Sequence, residues 1–77
     1  MQENYYDEFL DELKGALERQ DTARLDEILQ SIHWGWLSER EVESLDEIIS
    51  ETTLYLELKE EEYREMALVL IRELEEK

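Results

Sequence analysis

LSEREVESLDEII, residues 37–49, contains the clearest helix start in this 77-residue sequence. Ser38 followed three residues later by Glu41 is a capping box, in which each side chain satisfies a backbone N–H at the start of a helix. Leu37 and Val42 occupy the flanking positions where two apolar side chains pack together and fix the entry of the chain. The pattern predicts a helix that begins immediately after Ser38. Its predicted inward stripe is Val42, Leu45, Ile49, Thr52 and Leu56.

Three further helices are predicted from apolar residues that recur at i, i+3, i+4 and i+7. The first covers Tyr5–Arg19, with Asn4 as its N-cap, and the second begins after Asp21, a residue type that caps helices well. Gly35 is the expected left-handed residue that ends the second helix. The last helix is predicted at about Glu60–Glu75.

The last helix is predicted to be the central one, because Leu68 and Val69 add apolar surface beside its inward stripe and a helix that is apolar all round is usually buried. The stretch TTLYLEL, residues 52–58, fits helical spacing poorly, since it alternates with period two and is rich in strand formers. We therefore predict a break near residues 52–59, which would leave Leu54 and Leu58 exposed. The predicted inward stripe of the last helix is Tyr63, Met66, Ala67, Leu70, Ile71 and Leu74.

The composition fits this helical assignment. The chain contains no proline and only two glycines, whereas hairpins require Gly, Asn or Asp in their turns. It contains no cysteine, so no disulfide can stabilise the core. The predicted fold is all-α, a small three- or four-helix bundle with short loops, formed by residues 1–77 as a single domain.

Charge excludes several classes of function. With 23 Asp and Glu against 8 Lys and Arg, the formal net charge is −15, so nucleic acid and anionic membranes would repel the chain. LSEREVESL, residues 37–45, resembles the opening of helix-turn-helix domains of the LuxR type. Where such a domain needs a basic recognition helix, however, the chain reads ETTLYLELKEEE, and DNA binding is excluded. No secretory signal or membrane span is expected, and we predict a cytoplasmic protein.

No pattern indicates catalysis, a metal or a cofactor. His33 is the only histidine, whereas a di-iron bundle site requires two Glu-x-x-His units. The chain has no thiol, no nucleophile elbow and no glycine-rich phosphate loop. Carboxylates at helical spacing are expected to lie on solvated helix faces. The sequence therefore predicts a non-enzymatic protein.

Two features are candidates for partner binding. Trp34 and Trp36 flank Gly35, and their rings either close the core or form a contact surface, since Trp is enriched at binding hot spots. The second feature is an acidic stripe on the third predicted helix, which either is simply solvated or binds a basic partner. The acidic stripe consists of Glu39, Glu43, Asp46, Glu47 and Glu51.

These features favour a protein-binding module whose acidic face engages a basic protein surface. By analogy with small accessory proteins of phages, archaeal viruses and plasmids, such a module would mimic nucleic acid and inhibit a DNA- or RNA-binding protein. The alternative is a structural homo-oligomer, such as a homodimer, that buries Leu54, Leu58 and the Trp pair between copies.

Overall fold

A computed structural model of the chain describes residues 5–75. Four α-helices follow one another: α1 (Tyr5–Arg19), α2 (Thr22–Gln30), α3 (Glu39–Leu58) and α4 (Glu61–Glu75). A short 3₁₀ turn at Trp34–Trp36, here called the tryptophan turn, lies between α2 and α3. No strand occurs within residues 5–75, which confirms the predicted all-α fold and its four-helix form. Asn4, the predicted cap of α1, lies outside the described residues.

The four helices surround one core, and each packs against its neighbours along the chain. The most extensive interface joins α3 to α4, which are connected by only two residues and therefore run antiparallel. α1 packs against both α2 and α4, so that the last helix closes the bundle against the first. The buried apolar side chains are Phe9, Leu10, Leu13, Ala16, Leu17, Leu25, Ile28, Leu45, Ile48, Tyr55, Ala67, Leu68 and Ile71.

The predicted helix starts are confirmed where the structure describes them. The Asp21 carboxylate accepts a hydrogen bond from the backbone N–H of Arg24 at 3.1 Å. At the start of α3, the Ser38 hydroxyl accepts from the Glu41 N–H at 3.2 Å, and the Glu41 carboxylate accepts from the Ser38 N–H at 2.9 Å. Both halves of the capping box are therefore formed.

The helix ends differ from the prediction. α2 ends at Gln30, and Gly35 is not its left-handed terminator, because no glycine described has a positive φ. Two non-glycine residues instead adopt the left-handed conformation, each with φ of 58°: Gln20 after α1 and Lys59 after α3. At Gln20 the backbone makes the paired hydrogen bonds of a Schellman motif, which satisfies carbonyl groups of the last turn of α1.

The predicted break near residues 52–59 is wrong, since α3 is continuous to Leu58. Thr52 and Tyr55 lie on its buried face, and the Thr52 hydroxyl donates to the Ile48 carbonyl at 2.8 Å. A buried hydroxyl that is satisfied inside its own helix does not require a break in that helix. Leu58 is exposed as predicted, at 51%, whereas the predicted exposure of Leu54 is wrong, because the continuous helix leaves it half-buried.

α4 packs against both α3 and α1, but it is not apolar all round as the prediction assumed. Ala67, Leu68 and Ile71 are its buried residues, whereas Met66 is 48% exposed and Val69 is 43% exposed. Ala67 and Ile71 are buried, and Tyr63, Leu70 and Leu74 pack against the core as predicted. Leu68 also faces inward, whereas Met66 faces outward. α1 contributes more residues to the core, with five of its side chains buried. α4 is therefore an amphipathic helix with an apolar edge left in solvent.

Candidate functional site: an acidic face beside an apolar furrow

The acidic stripe lies along α3, and the helix displays it as the sequence predicted. The capping box fixes the start of this helix, so the spacing of its side chains follows from regular helical geometry. Glu39, Glu43 and Glu47 recur every four residues, a rise of about 6 Å per step along the axis. Four members of the acidic stripe are exposed and Glu51 is half-buried. The exposed members are Glu39, Glu43, Asp46 and Glu47.

Basic side chains within residues 5–75 form their ion pairs away from the acidic stripe. Lys14 of α1 pairs with Glu75 of α4 at 2.9 Å, and Arg24 of α2 lies 3.4 Å from Glu12 of α1. Arg24 also lies 3.9 Å from Glu27. No ion pair in this part of the chain includes a member of the acidic stripe. The negative field of the stripe is therefore not cancelled locally by these bases.

The fourth ion pair lies within α4, and its arginine connects that helix to the end of α1. The Arg64 guanidinium contacts the Glu61 carboxylate and also donates to the Leu17 carbonyl at 2.9 Å. Its hydrogen bond lowers the pKa of Glu61 below the ordinary value of 4.5, and the same contact raises the pKa of Arg64. These groups stabilise the junction between α4 and the end of α1, whereas the acidic stripe lies on α3.

The tryptophan turn places both indole rings outside the core. Trp34 is 41% exposed and Trp36 is 67% exposed, so the alternative in which the rings close the core is wrong. Trp36 is nevertheless held in place. Its ring stacks on His33 with centroids 4.2 Å apart and an interplanar angle of 19°, and it meets Tyr5 edge-on at 5.2 Å. The Tyr5 hydroxyl accepts the backbone N–H of His33 at 2.9 Å, which ties the turn to α1.

A surface cavity of about 380 Å³ lies beside the tryptophan turn, between α1 and α2. Tyr5, Phe9 and Trp36 give it aromatic walls, and Glu12 and Arg24 stand at its polar side. Since Arg24 is already paired with Glu12, the polar groups are largely matched to each other. The cavity is therefore better suited to apolar contacts than to binding a charged group.

The sequence did not reveal an apolar furrow between α3 and α4. One part of it, about 280 Å³, is lined by Met66 and Leu70 of α4 and by members of the acidic stripe. A second part, about 190 Å³, shares Glu47 and Leu70 with the first and extends to Leu74. Met66 and Leu70 were predicted to face the core; Leu70 is half-buried and packs against it, whereas Met66 is exposed. The sequence signal was available in the excess apolar width of α4.

Within residues 5–75, no three His, Cys, Asp or Glu side chains cluster closely enough to hold a metal ion. None of the helices described is both long and apolar enough to span a membrane. Comparison with protein family models, with curated proteins and with solved structures finds no match to this chain. The class that the structure defines is a small all-α bundle.

Proposed function

We propose that this protein is a non-enzymatic binding module whose acidic stripe engages a basic surface of another protein. The observation that carries the proposal is the exposed row of carboxylates along α3, which forms no ion pair with the basic residues described. Fixed charges of one sign on a rigid helix speed the encounter with a complementary surface. The net charge of −15 extends that attraction over the whole molecule.

A nucleic-acid-binding protein is the partner class that fits best. Carboxylates about 6 Å apart along α3 approach, in order of magnitude, the phosphate spacing of about 3.4 Å along a DNA strand. A protein surface built to bind phosphates with Lys and Arg would therefore accept this helix as a substitute. In this proposal the chain mimics nucleic acid and inhibits its partner by occupying the nucleic-acid site.

The test uses the full chain as bait for proteins in a cell lysate, with elution by a salt gradient. For a basic protein recovered in this way, association is measured with the parent chain and with a Glu43→Lys/Glu47→Lys variant. We expect the variant to associate at least about tenfold more slowly at low salt and to show a weaker salt dependence, because charge complementarity governs the encounter rate. DNA or RNA should compete with the parent chain for the partner.

An Asp11→Lys/Glu18→Lys variant is the matched control. Both residues are exposed on α1, and reversing them changes the net charge by the same amount as reversing Glu43 and Glu47. A smaller effect in the control would show that the position of the charge matters. If the Glu43/Glu47 variant binds as fast as the parent at low salt, the acidic stripe is not the recognition surface.

The exposed tryptophan turn favours a second candidate, a contact between copies of the chain. The Trp36 ring is held by His33 and Tyr5 yet remains in solvent, so it loses little conformational freedom when a partner covers it. The molar mass in solution, measured for the parent and for Trp36→Ala, separates the candidates. A parent dimer that Trp36→Ala dissociates supports the homo-oligomer. A monomeric parent whose complex with a basic partner dissociates faster after Trp36→Ala supports an anchor for that partner.

A further inference from the structure

The furrow between α3 and α4 combines an apolar floor with acidic walls. Its floor is formed by Met66, Leu70 and Leu74, which recur every four residues on one edge of α4. Eight residues of helix correspond to a floor about 12 Å long, or roughly two helical turns. The two parts of the furrow are continuous because they share Glu47 and Leu70.

Met66 lies at the most exposed end of this floor, with 48% of its surface in solvent. Val69, beside it on α4, is 43% exposed, so the apolar edge extends beyond the furrow itself. Met66 and Val69 lie outside the core, whereas Leu70 and Leu74 pack against it while also lining the furrow. Methionine is flexible and polarizable, and it is common on surfaces that adapt to a bound helix.

The acidic residues that line the furrow favour a positively charged ligand. Asp46, Glu47 and Glu51 line the furrow from α3, and Glu73 lines it from α4. None of these carboxylates forms an ion pair with a basic residue in the described part of the chain. A second copy of this acidic chain would bring like charges together at these walls, whereas Lys and Arg side chains would be attracted to them.

We propose that the furrow binds an amphipathic basic helix of the partner. The apolar face of that helix packs on Met66 and Leu70, and its Lys and Arg residues extend to the carboxylates of Glu47 and Glu51. This is the helix-in-groove mode of recognition, which requires apolar anchors at i, i+3 or i+4, and i+7 of the partner. The inference rests on the proposed function and adds to it the shape of the partner element. It requires apolar contact, which a purely electrostatic mimic does not.

Two synthetic peptides of identical composition test the proposal. Each contains 14 residues of Lys and Leu: in one the Leu residues lie on a single helical face, and in the other they are distributed around the helix. The chain contains two methionines, Met1 and Met66, so methyl NMR of methionine-labelled protein directly reports contact at the furrow. We expect the amphipathic peptide to bind at least about tenfold more tightly, with a shift of the Met66 methyl signal.

Met66→Ser and Leu58→Ser form a matched pair of variants. Both replace an apolar side chain that is about half exposed, and only Met66 lines the furrow, so neither change should unfold the bundle. Met66→Ser should weaken binding of the amphipathic peptide about tenfold, since the variant loses the apolar contact that the exposed part of the Met66 side chain would make. Leu58→Ser should leave that affinity within about twofold of the parent.

The outcomes separate this inference from the proposed function. Equal binding of the two peptides, or a Met66→Ser variant that binds like the parent, would overturn the furrow proposal and leave the acidic face intact as a recognition surface. Failure of both peptides to bind at low ionic strength would overturn both proposals. A parent that is a dimer in solution, and that Met66→Ser converts to a monomer, would assign the furrow to self-association instead.

Discussion

The two flanks of α4 show how one helix can serve stability on one side and remain available for binding on the other. On the flank that meets α1, Ile71 is fully buried, Arg64 donates to the Leu17 carbonyl, and Lys14 pairs with Glu75. On the furrow flank, Met66 is half exposed and faces carboxylates of α3 that have no basic partner among residues 5–75.

The two flanks of α4 differ because the few basic residues of the chain pair at helix junctions and not along the acidic stripe. Three of the described bases form cross-helix contacts that close α1 against α2 and α4. Desolvated or partly buried contacts gain more from a paired charge than a fully solvated helix face does. The acidic stripe of α3 remains in water, where uncompensated carboxylates cost the fold little.

The largest expected effect is a loss of stability on the α1 flank. Ile71→Ala should lower the free energy of unfolding by about 2–5 kcal/mol, because it leaves a cavity in a core position. Val69→Ala, two residues away on the exposed edge, should cost less than about 1 kcal/mol. Chemical denaturation followed by circular dichroism measures both values. Equal costs would contradict the distinction between the two flanks of α4.

A smaller effect is expected at the junction formed by Arg64. Arg64→Leu retains apolar volume in place of the arginine stem but removes the donor to the Leu17 carbonyl. We expect it to lower the free energy of unfolding by about 1–2 kcal/mol. Arg72→Leu is the control, because Arg72 is exposed and its replacement should change the free energy of unfolding by less than about 0.5 kcal/mol. A control as destabilised as Arg64→Leu would show that general charge, and not the helix junction, is responsible.

The pair of Glu61 and Arg64 at the same junction should make the stability of the fold depend on pH. The pKa of Glu61 is lowered in the folded chain, so its contribution to stability is complete above the ordinary value of 4.5 and is lost as the pH falls through the lowered folded value. The melting temperature of Glu61→Gln should therefore lie below that of the parent at pH 7, and the two should converge in acid. A difference that persists undiminished at about pH 2, where carboxyl groups are protonated, would contradict this origin.

The smallest expected effect concerns the acidic stripe itself. Added salt screens repulsion between exposed carboxylates, so the melting temperature of the parent should rise between about 0.02 M and 0.5 M salt. The Glu43→Lys/Glu47→Lys variant should be more stable than the parent at low salt by a few tenths of a kcal/mol, with a weaker response to salt. If the melting temperature of the parent does not change with salt, the acidic stripe is not under repulsion.

The helix starts were predictable because capping is local. Ser38 and Glu41 identify each other three residues apart, and Asp21 caps α2 with its own side chain. The helix ends were not predictable in the same way. Gln20 and Lys59 adopt a conformation that usually favours glycine, and no local signal in either residue type announces it.

The acidic stripe was predictable and the furrow was not, for a related reason. Periodicity places Glu43 and Glu47 on one face of α3 wherever that helix packs. The rotation of α4 depends instead on how its wide apolar surface divides between the core and α3. Leu68 turned inward and Met66 outward, which only the packing of the whole bundle decides.

Both tryptophans of the chain lie in one three-residue turn, which has a practical consequence for spectroscopy. Intrinsic tryptophan emission reports the surroundings of that turn and carries no direct signal from α3 or α4. Because both rings are substantially exposed in the folded state, unfolding would change their contact with water less than it would for buried rings. A ligand that covers the tryptophan turn would shift this emission, whereas a peptide in the furrow would leave it nearly unchanged. Tryptophan emission can therefore distinguish binding at the tryptophan turn from binding in the furrow.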